Sequence, residues 1–300
     1  MAVDLQAKKT AVATLSVVSN TLLVVGKVTI GLLIGSVSVV SEAIHSGIDL
    51  IAAAIALFAV RRAARPADAG HHFGHGKLEN LSGTIEALLI FAAAGWILWE
   101  AVGKLRHPAP LAEVGWGVGV MAVSAVLNWI VSGLLFRVGK EADSVALQAD
   151  GWHLRTDVYT SAGVMVGLAA IWMGGKFFPG VDLAWLDPVA AILVAILILV
   201  TACRLTAQSA RDLLDASLPA AEQGWLTDYL AGLGDEVQGH HKVRTRKAGS
   251  TRFFEFHLQV APQMTVRRSH ALAHEVADGI TARFPGSSVT VHIEPSDEGD

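Results

Sequence analysis

The sequence predicts a membrane α-helical bundle of six transmembrane helices followed by a small C-terminal α+β domain. Two observations carry this prediction. Of the 300 residues, 52% are hydrophobic and only 17% are charged, and the mean hydropathy is +0.48. Soluble proteins carry about 25% charged residues, so most of this chain is expected to lie in lipid. The net charge of -4 argues against nucleic acid as a partner.

The hydrophobic residues fall into six stretches that are long enough to cross a bilayer, which takes about 20 residues. We expect these spans at about 11–34, 37–60, 78–103, 114–136, 145–173 and 184–206. No small-residue cleavage site ends a short apolar core near the N-terminus. The first stretch is therefore interpreted as a spanning helix rather than as a removed signal peptide.

Lysine and arginine are concentrated in the loops on one side of the predicted bundle. The side that holds the N-terminus carries most of them, whereas the other side has only Lys104, Arg106 and Lys176. Because positively charged loops stay in the cytoplasm, we expect the N-terminus and everything after the sixth helix to be cytoplasmic.

The composition after about residue 211 is that of a small soluble domain. We expect a helix at 220–233, strands at 237–246 and 252–260, a helix at 267–284 and a strand at 288–293. This α-β-β-α-β order predicts a small sheet with both helices on one face, a metallochaperone-like arrangement. The predicted domains are residues 1–208, the six-helix transmembrane domain, and residues 209–300, the cytoplasmic domain.

Two His-xxx-Asp pairs interrupt apolar stretches, His45 with Asp49 and His153 with Asp157. Residues four apart share one face of a helix. A lone histidine in such a helix is usually a packed, hydrogen-bonded residue, but two copies of one spacing favour a metal site. An unpaired carboxylate in a membrane is expensive and needs a cation, a proton or a pore. Two imidazoles and two carboxylates make a complete ligand set for a zinc-like ion.

Protons compete with metal for such a site. Histidine titrates near neutral pH, and metal binds it only when it is deprotonated. Exchange of metal for protons at one site is the chemistry of an antiporter.

Two further clusters of histidine and carboxylate are candidates for metal binding. The first is the loop cluster of Asp68, His71 and His75, which follows the second span. Nearby glycines let its backbone fold tightly around an ion, although a solvated connector would have the same composition. The second cluster draws on different elements of the C-terminal domain: His241, His257, His270, His292 and Glu294. Whether they share a metal depends on packing, and His257 alone fits a buried core histidine equally well.

Catalytic motifs are missing from the sequence, so we predict that the protein is not an enzyme. His270-Ala-Leu-Ala-His274-Glu275 has two histidines four apart, but its glutamate follows the second one. This order matches neither zinc-protease motif. The single cysteine, Cys203, rules out an intramolecular disulfide.

Four motifs resemble the cation diffusion facilitator family, and closely its bacterial zinc/iron-efflux branch. They are His45-Ser-Gly-Ile-Asp49, Phe73-Gly-His75-Gly-Lys77-Leu-Glu79, His153-Leu-Arg-Thr-Asp157 and Asp212-Leu-Leu-Asp215-Ala-Ser-Leu-Pro219. The resemblance covers nearly the whole chain. It implies a proton-coupled antiporter of the cell inner membrane that exports divalent cations, foremost Zn²⁺, with Cd²⁺, Co²⁺, Ni²⁺ and Fe²⁺ as further candidates.

The resemblance also implies roles for the clusters. It implies a transport site at His45, Asp49, His153 and Asp157, a second site in the loop, and a C-terminal site of one or two metals in which Zn²⁺ is structural or regulatory. Lys77 and Asp215 match a family ion pair that links the protomers of a homodimer. Bacterial relatives often have Asp at the position of His45, whereas zinc-selective members have His, which favours zinc. Glu294 stands where a close relative would carry Asp.

A second class of function stays open, a membrane-anchored metal sensor or chaperone whose C-terminal histidines are the functional site. Such a protein would not need the two membrane His-xxx-Asp pairs. Those pairs therefore distinguish the two hypotheses.

Overall fold

The computed structural model describes residues 2–34, 37–106, 116–177 and 185–296. Six long helices precede a small three-stranded domain in these residues. They are α1 (Ala2–Ile34), α2 (Val37–Ala63), α3 (Lys77–Arg106), α4 (Trp116–Glu141), α5 (Val145–Phe177) and α6 (Leu186–Leu213). Each corresponds to one predicted span, although the predicted starts at 114–115 and 184 lie outside the described residues.

Four of the described helices are apolar and long enough to cross a membrane. These stretches are Asp4–Leu33, Lys77–Arg106, Met121–Glu141 and Pro188–Leu213, which belong to α1, α3, α4 and α6. The other two long helices, α2 and α5, carry the paired histidines and aspartates. Large apolar side chains point outward, for example Leu33 and Trp99, as lipid-facing residues do.

Small side chains let the helices approach closely. Ala52, Ala53 and Ala56 on α2 are fully buried, and small residues are the usual contact residues between membrane helices. Helix α1 packs on α2, α3 on α6, and α4 on α5, while α5 also contacts α2, α3 and α6. Helix α5 is therefore central to the bundle, which places its polar residues in the interior.

The C-terminal domain has the predicted α-β-β-α-β order. It contains α7 (Ala220–Ala231), β1 (Val237–Ala248), β2 (Thr251–Val260), α8 (Val266–Arg283) and β3 (Ser288–Pro295). The sheet order is β1-β2-β3, with β1 antiparallel and β3 parallel to β2. The parallel pair requires the crossover that α8 supplies. Thr265 begins this helix by accepting a 3.3 Å hydrogen bond from the Arg268 N–H.

Alternation along β2 separates an apolar face from a polar one. Phe254, Phe256 and Leu258 are buried in a core with residues of α7 and α8. The residues between them, including His257, point to the opposite face because side chains alternate along a strand. The sheet thus presents His257 on the side away from the hydrophobic core.

The turn between β1 and β2 contacts the start of α3. The Gly249 N–H donates a 2.7 Å hydrogen bond to Asn80 Oδ1. Gly249 has φ +60°, and a Cβ there would lie 2.6 Å from the carbonyl oxygen of Gly76. Glycine is required at 249 for both reasons.

Ion pairs add to this junction between the helical bundle and the C-terminal domain. Asp143, in the turn between α4 and α5, contacts Lys247 at 2.7 Å and Arg252 at 3.0 Å. Arg252 also pairs with Glu222 at 2.7 Å. The first two pairs connect β1 and β2 directly to the beginning of α5.

Lys77 and Asp215, the expected family ion pair, contact each other within the chain. Lys77 Nζ lies 2.9 Å from Asp215 Oδ1 within one chain, and Arg246 contacts the same carboxylate at 3.3 Å. The pair therefore connects the start of α3 to the segment after α6 and needs no second protomer to form. These contacts lower the pKa of Asp215, because the two cations outweigh the raising effect of burial.

Candidate metal centres

The first candidate centre joins α2 to α5 inside the helical bundle. His153 Nε2 lies 3.1 Å from Asp49 Oδ1, and His45 Nε2 lies 3.5 Å from Asp157 Oδ1. Each histidine therefore faces the aspartate of the other helix. We call His45, Asp49, His153 and Asp157 the quartet.

Three of the four side chains of the quartet have a geometry that suits a metal ion. Among the described residues, His153 is not part of this three-ligand group and instead contacts Asp49. The ligand atoms of His45, Asp49 and Asp157 lie within 4.8 Å of one another. The side chains of Asp49 and His153 are 5% and 7% exposed, whereas that of His45 is 51% exposed. Asp157 Oδ2 is buried without a hydrogen-bond partner among the described residues. Its lone pairs are thus available to an ion, and His45 forms the open side of the site.

The second candidate centre is the loop cluster. The Asp68 carboxylate lies 3.4 Å from His71 Nδ1 and 3.3 Å from His75 Nε2. The three ligand atoms fall within 4.8 Å of one another. The imidazole ring centres are 4.3 Å apart. His75 is buried, while the other two residues are exposed.

Backbone hydrogen bonds hold the aspartate of this loop in place. Asp68 Oδ1 accepts from the N–H groups of Gly70 at 2.9 Å and His71 at 2.8 Å. Burial alone would raise the pKa of Asp68, but these two hydrogen bonds, together with the side chains of His71 and His75, outweigh burial and lower the pKa. The carboxylate is therefore ionised and able to bind a cation at neutral pH.

The third candidate centre is a row of histidines across the sheet. His241 of β1 is the register partner of His257 of β2, which in turn is the partner of His292 of β3. Glu294 Oε1 lies 2.9 Å from His241 Nε2, and Glu294 Oε2 lies 2.9 Å from His257 Nδ1. The ligand atoms of His241, His257 and Glu294 are within 4.8 Å of one another. The hydrogen bond with His257 is the main cause of the lowered pKa of Glu294.

The two remaining predicted ligands of the C-terminal domain, His292 and His270, lie in different places. The ring of His292, at the end of the row, lies 4.4 Å from that of His257, so it is next to the three-ligand group. His270 instead packs edge-to-face against His274 on α8, at 4.5 Å between ring centres. Among the described residues, His270 does not belong to the three-ligand group.

Sequence reasoning passed over two buried carboxylates, Glu86 on α3 and Asp150 on α5. Both are completely buried. Neither belongs to a His-xxx-Asp pair, the repeated spacing that marked the quartet. Their only signal in the sequence was an acidic residue in an apolar segment.

The helical bundle, with its interior cluster of candidate metal ligands, defines an integral membrane protein that carries a small C-terminal α+β domain. The model for the cation efflux transmembrane domain matches residues 13–214, and the model for the cation efflux cytoplasmic domain matches residues 218–296. The chain belongs to the cation diffusion facilitator family of cation efflux transporters.

Curated relatives match over most of their length. The transporter sll1263 of Synechocystis sp. is 38% identical over 264 residues, 88% of this chain and 83% of that protein. The cation-efflux pump FieF of Salmonella arizonae is 31% identical over 263 residues, 87% of this chain and 84% of that protein. Members of the family are transporters, which agrees with the expectation that this protein is not an enzyme.

Solved structures match the C-terminal part. CzrB in its Zn form is 31% identical over 28% of this chain and 96% of that chain, with a TM-score of 0.25. The metal-bound C-terminal domain of the CzcD transporter from Thermotoga maritima is 24% identical over 28% of this chain and 100% of that chain, also with a TM-score of 0.25.

Proposed function

We propose that this cation efflux transporter exports Zn²⁺ from the cytoplasm in exchange for protons. The observation that carries the proposal is the cross-helix arrangement of the quartet, with its contacts of 3.1 Å and 3.5 Å. Cd²⁺, Co²⁺, Ni²⁺ and Fe²⁺ are secondary cargoes of the same site.

The ligand types favour zinc as the principal cargo. Two imidazole nitrogens and two carboxylate oxygens form a four-ligand set of the kind Zn²⁺ takes. With Asp at position 45, as the family resemblance implies for some relatives, the site would have three carboxylates; this chain has His45 there. Imidazole suits zinc, cobalt and nickel better than it suits hard ions such as Mn²⁺.

The same contacts support proton exchange. An imidazole must lose its proton before its nitrogen can bind metal. His153 Nε2 and Asp49 Oδ1 face each other, so a proton or a metal ion between these two atoms satisfies both. The two ligands therefore hold either cargo, and each cargo displaces the other.

We place the protein in the cell inner membrane with both termini in the cytoplasm. The support is the charge asymmetry of the loops. We also propose that residues 1–208 form the domain embedded in the lipid bilayer and residues 209–300 the cytoplasmic domain.

We assign the other two centres to regulation or assembly. The row formed by His241, His257 and Glu294 provides two nitrogens and a carboxylate for a structural or regulatory Zn²⁺, and His292 is close enough to contribute to a second ion. The loop cluster offers a comparable set on the exposed surface. A homodimer would carry one Lys77–Asp215 pair in each protomer.

Transport of zinc by the purified protein in proteoliposomes tests the quartet. Asp49→Ala and Asp157→Ala each remove a charged ligand from a set of four, so we expect zinc flux to fall to the level of empty vesicles. Glu100→Ala is the control, because Glu100 is an exposed carboxylate that pairs, among the described residues, with Lys104 on its own helix at 3.2 Å.

Flux near that of the wild type in both aspartate variants would refute the transport site. If wild-type protein itself moved no zinc while binding it through the C-terminal histidines, the sensor or chaperone hypothesis would replace the transporter.

A further inference from the structure

Two buried carboxylates in the helical bundle have no role in the quartet. Glu86 and Asp150 are both 0% exposed. Ser82 Oγ donates a 3.1 Å hydrogen bond to Glu86 Oε1. The remaining oxygens, Glu86 Oε2 and both of Asp150, have no hydrogen-bond partner among the described residues. A buried carboxylate left in this condition needs a cation or a proton.

Their position relates them to the transport route. Asp150 precedes His153 by three residues on α5, so it lies on the same helix face and about 4.5 Å closer to the start of the helix. That start is the end that contacts the C-terminal domain through Asp143 and Arg252. Asp150 interacts electrostatically with His153, Asp49 and Glu86. Asp150 is therefore placed between the C-terminal domain and the quartet, and Glu86 is close enough to Asp150 to interact with its charge.

Uncharged polar groups of α1 are buried in the bundle, and one of them, Ser16, lies beside Asp150. Ser16 is 0% exposed, and its hydroxyl is next to the Asp150 carboxylate without closing a hydrogen bond. Asn20, one turn further along the same face of α1, is 1% exposed, and both polar atoms of its amide lack a partner among the described residues. Polar groups that merely stabilised the fold would be expected to bond to each other.

We propose that Asp150, Glu86 and Ser16 form a second cation position, which the divalent cargo occupies on its way to the quartet. The ligands are all oxygen. This set binds hard divalent ions such as Mn²⁺ relatively well and holds Zn²⁺ less tightly than imidazole ligands do. Weak binding at this position allows the ion to move on to the quartet.

This inference rests on the proposed transport function, but its first test does not require transport. Mn²⁺ binding is measured by electron paramagnetic resonance on the full chain carrying Asp49→Ala and Asp157→Ala, which disable the quartet. Adding Asp150→Asn should remove one equivalent of bound Mn²⁺. Glu86→Gln should weaken that equivalent, and Glu100→Gln, on the same helix as Glu86, should leave it unchanged.

The second test uses zinc flux with the quartet intact. Asp150→Asn and Glu86→Gln should each lower kcat/KM for zinc by about tenfold or more, the usual effect of removing a charged neighbour of a metal site. If Asp150→Asn fails to fold, Glu86→Gln provides both readouts. If Asp150→Asn and Glu86→Gln left the number of bound Mn²⁺ equivalents unchanged, the proposal would be overturned, even if the wild type transports zinc. Absence of zinc flux in the wild type, with the Mn²⁺ result as expected, would instead refute only the transport function.

Discussion

Gly249→Ala should open the junction between the C-terminal domain and the helical bundle. An alanine at φ +60° costs about 1–2 kcal/mol in the left-handed region. Its Cβ would lie 2.6 Å from the carbonyl oxygen of Gly76, so the turn must move away from α3. That movement breaks the buried 2.7 Å hydrogen bond to Asn80, which contributes about 1 kcal/mol more. The junction should lose about 2–3 kcal/mol, or about 30- to 150-fold in its opening equilibrium.

Hydrogen exchange at the amide of residue 249 measures this opening directly, because that amide is the donor to Asn80. The control is Gly286→Ala. Gly286 has φ +80° but nothing within 4 Å of an added Cβ, so it carries the backbone strain without the overlap. We expect faster exchange at 249 in Gly249→Ala and unchanged exchange there in Gly286→Ala. Equal exchange in the wild type and Gly249→Ala would show that this contact does not hold the two domains together.

Three further predictions address the metal centres and the junction. His45→Asp should admit harder ions such as Mn²⁺ because it replaces an imidazole with a carboxylate; an unchanged ranking of metals in a competition flux assay would remove His45 from the selectivity ligands. The double variant His257→Ala/His292→Ala should lower the zinc stoichiometry of the full chain in calorimetry, whereas His274→Ala should not; undiminished binding would make the histidine row a packing feature. The hydrogen bond from Arg252 lowers the pKa of Glu222 below its ordinary value of 4.5. The ion pair therefore stabilises the fold fully above that pH, and this stabilisation is lost as the pH falls through the lowered pKa. Thermal unfolding of the wild type and Glu222→Gln should therefore differ at neutral pH and converge in acid, and a constant difference down to acid pH would contradict this assignment.

The overall fold followed from the sequence because it depends on local patterns. The lengths of the apolar stretches located the six long helices, and the alternation of apolar and polar residues located β1, β2 and β3. The family assignment confirmed the fold class. The helix ends were less predictable. Helix α1 begins at Ala2, well before the first apolar stretch, because polar residues can extend a helix beyond its apolar part.

The arrangement within the quartet depends on how two helices pack. A spacing of four residues places His45 and Asp49 on one face, but it does not show which residue of α5 each will meet. The structure pairs each histidine with the aspartate of the other helix. The metal-binding role of these four residues remains a prediction from the sequence.

The C-terminal histidines show a similar division between local pattern and packing. Alternation along β2 placed His257 opposite the apolar core, but the alignment of His241, His257 and His292 is set by the register of three strands. His270 lies beside His274 on α8. That helix packs against the core face of the sheet, whereas His257 and its partners lie on the opposite face. The pattern in the sequence could not distinguish these outcomes.

Exchange of zinc for protons at one site is tested most directly by recording both fluxes together. Proteoliposomes carrying the wild-type protein and a trapped pH dye would be given zinc at several values from about pH 6 to 8, a range that spans the ordinary histidine pKa of about 6.5. We expect protons to move opposite to zinc, an imposed proton gradient to accelerate zinc movement, and an uncoupler to abolish that acceleration. Zinc movement without any counter-flow of protons across this range would contradict the antiport mechanism and make the protein a passive facilitator.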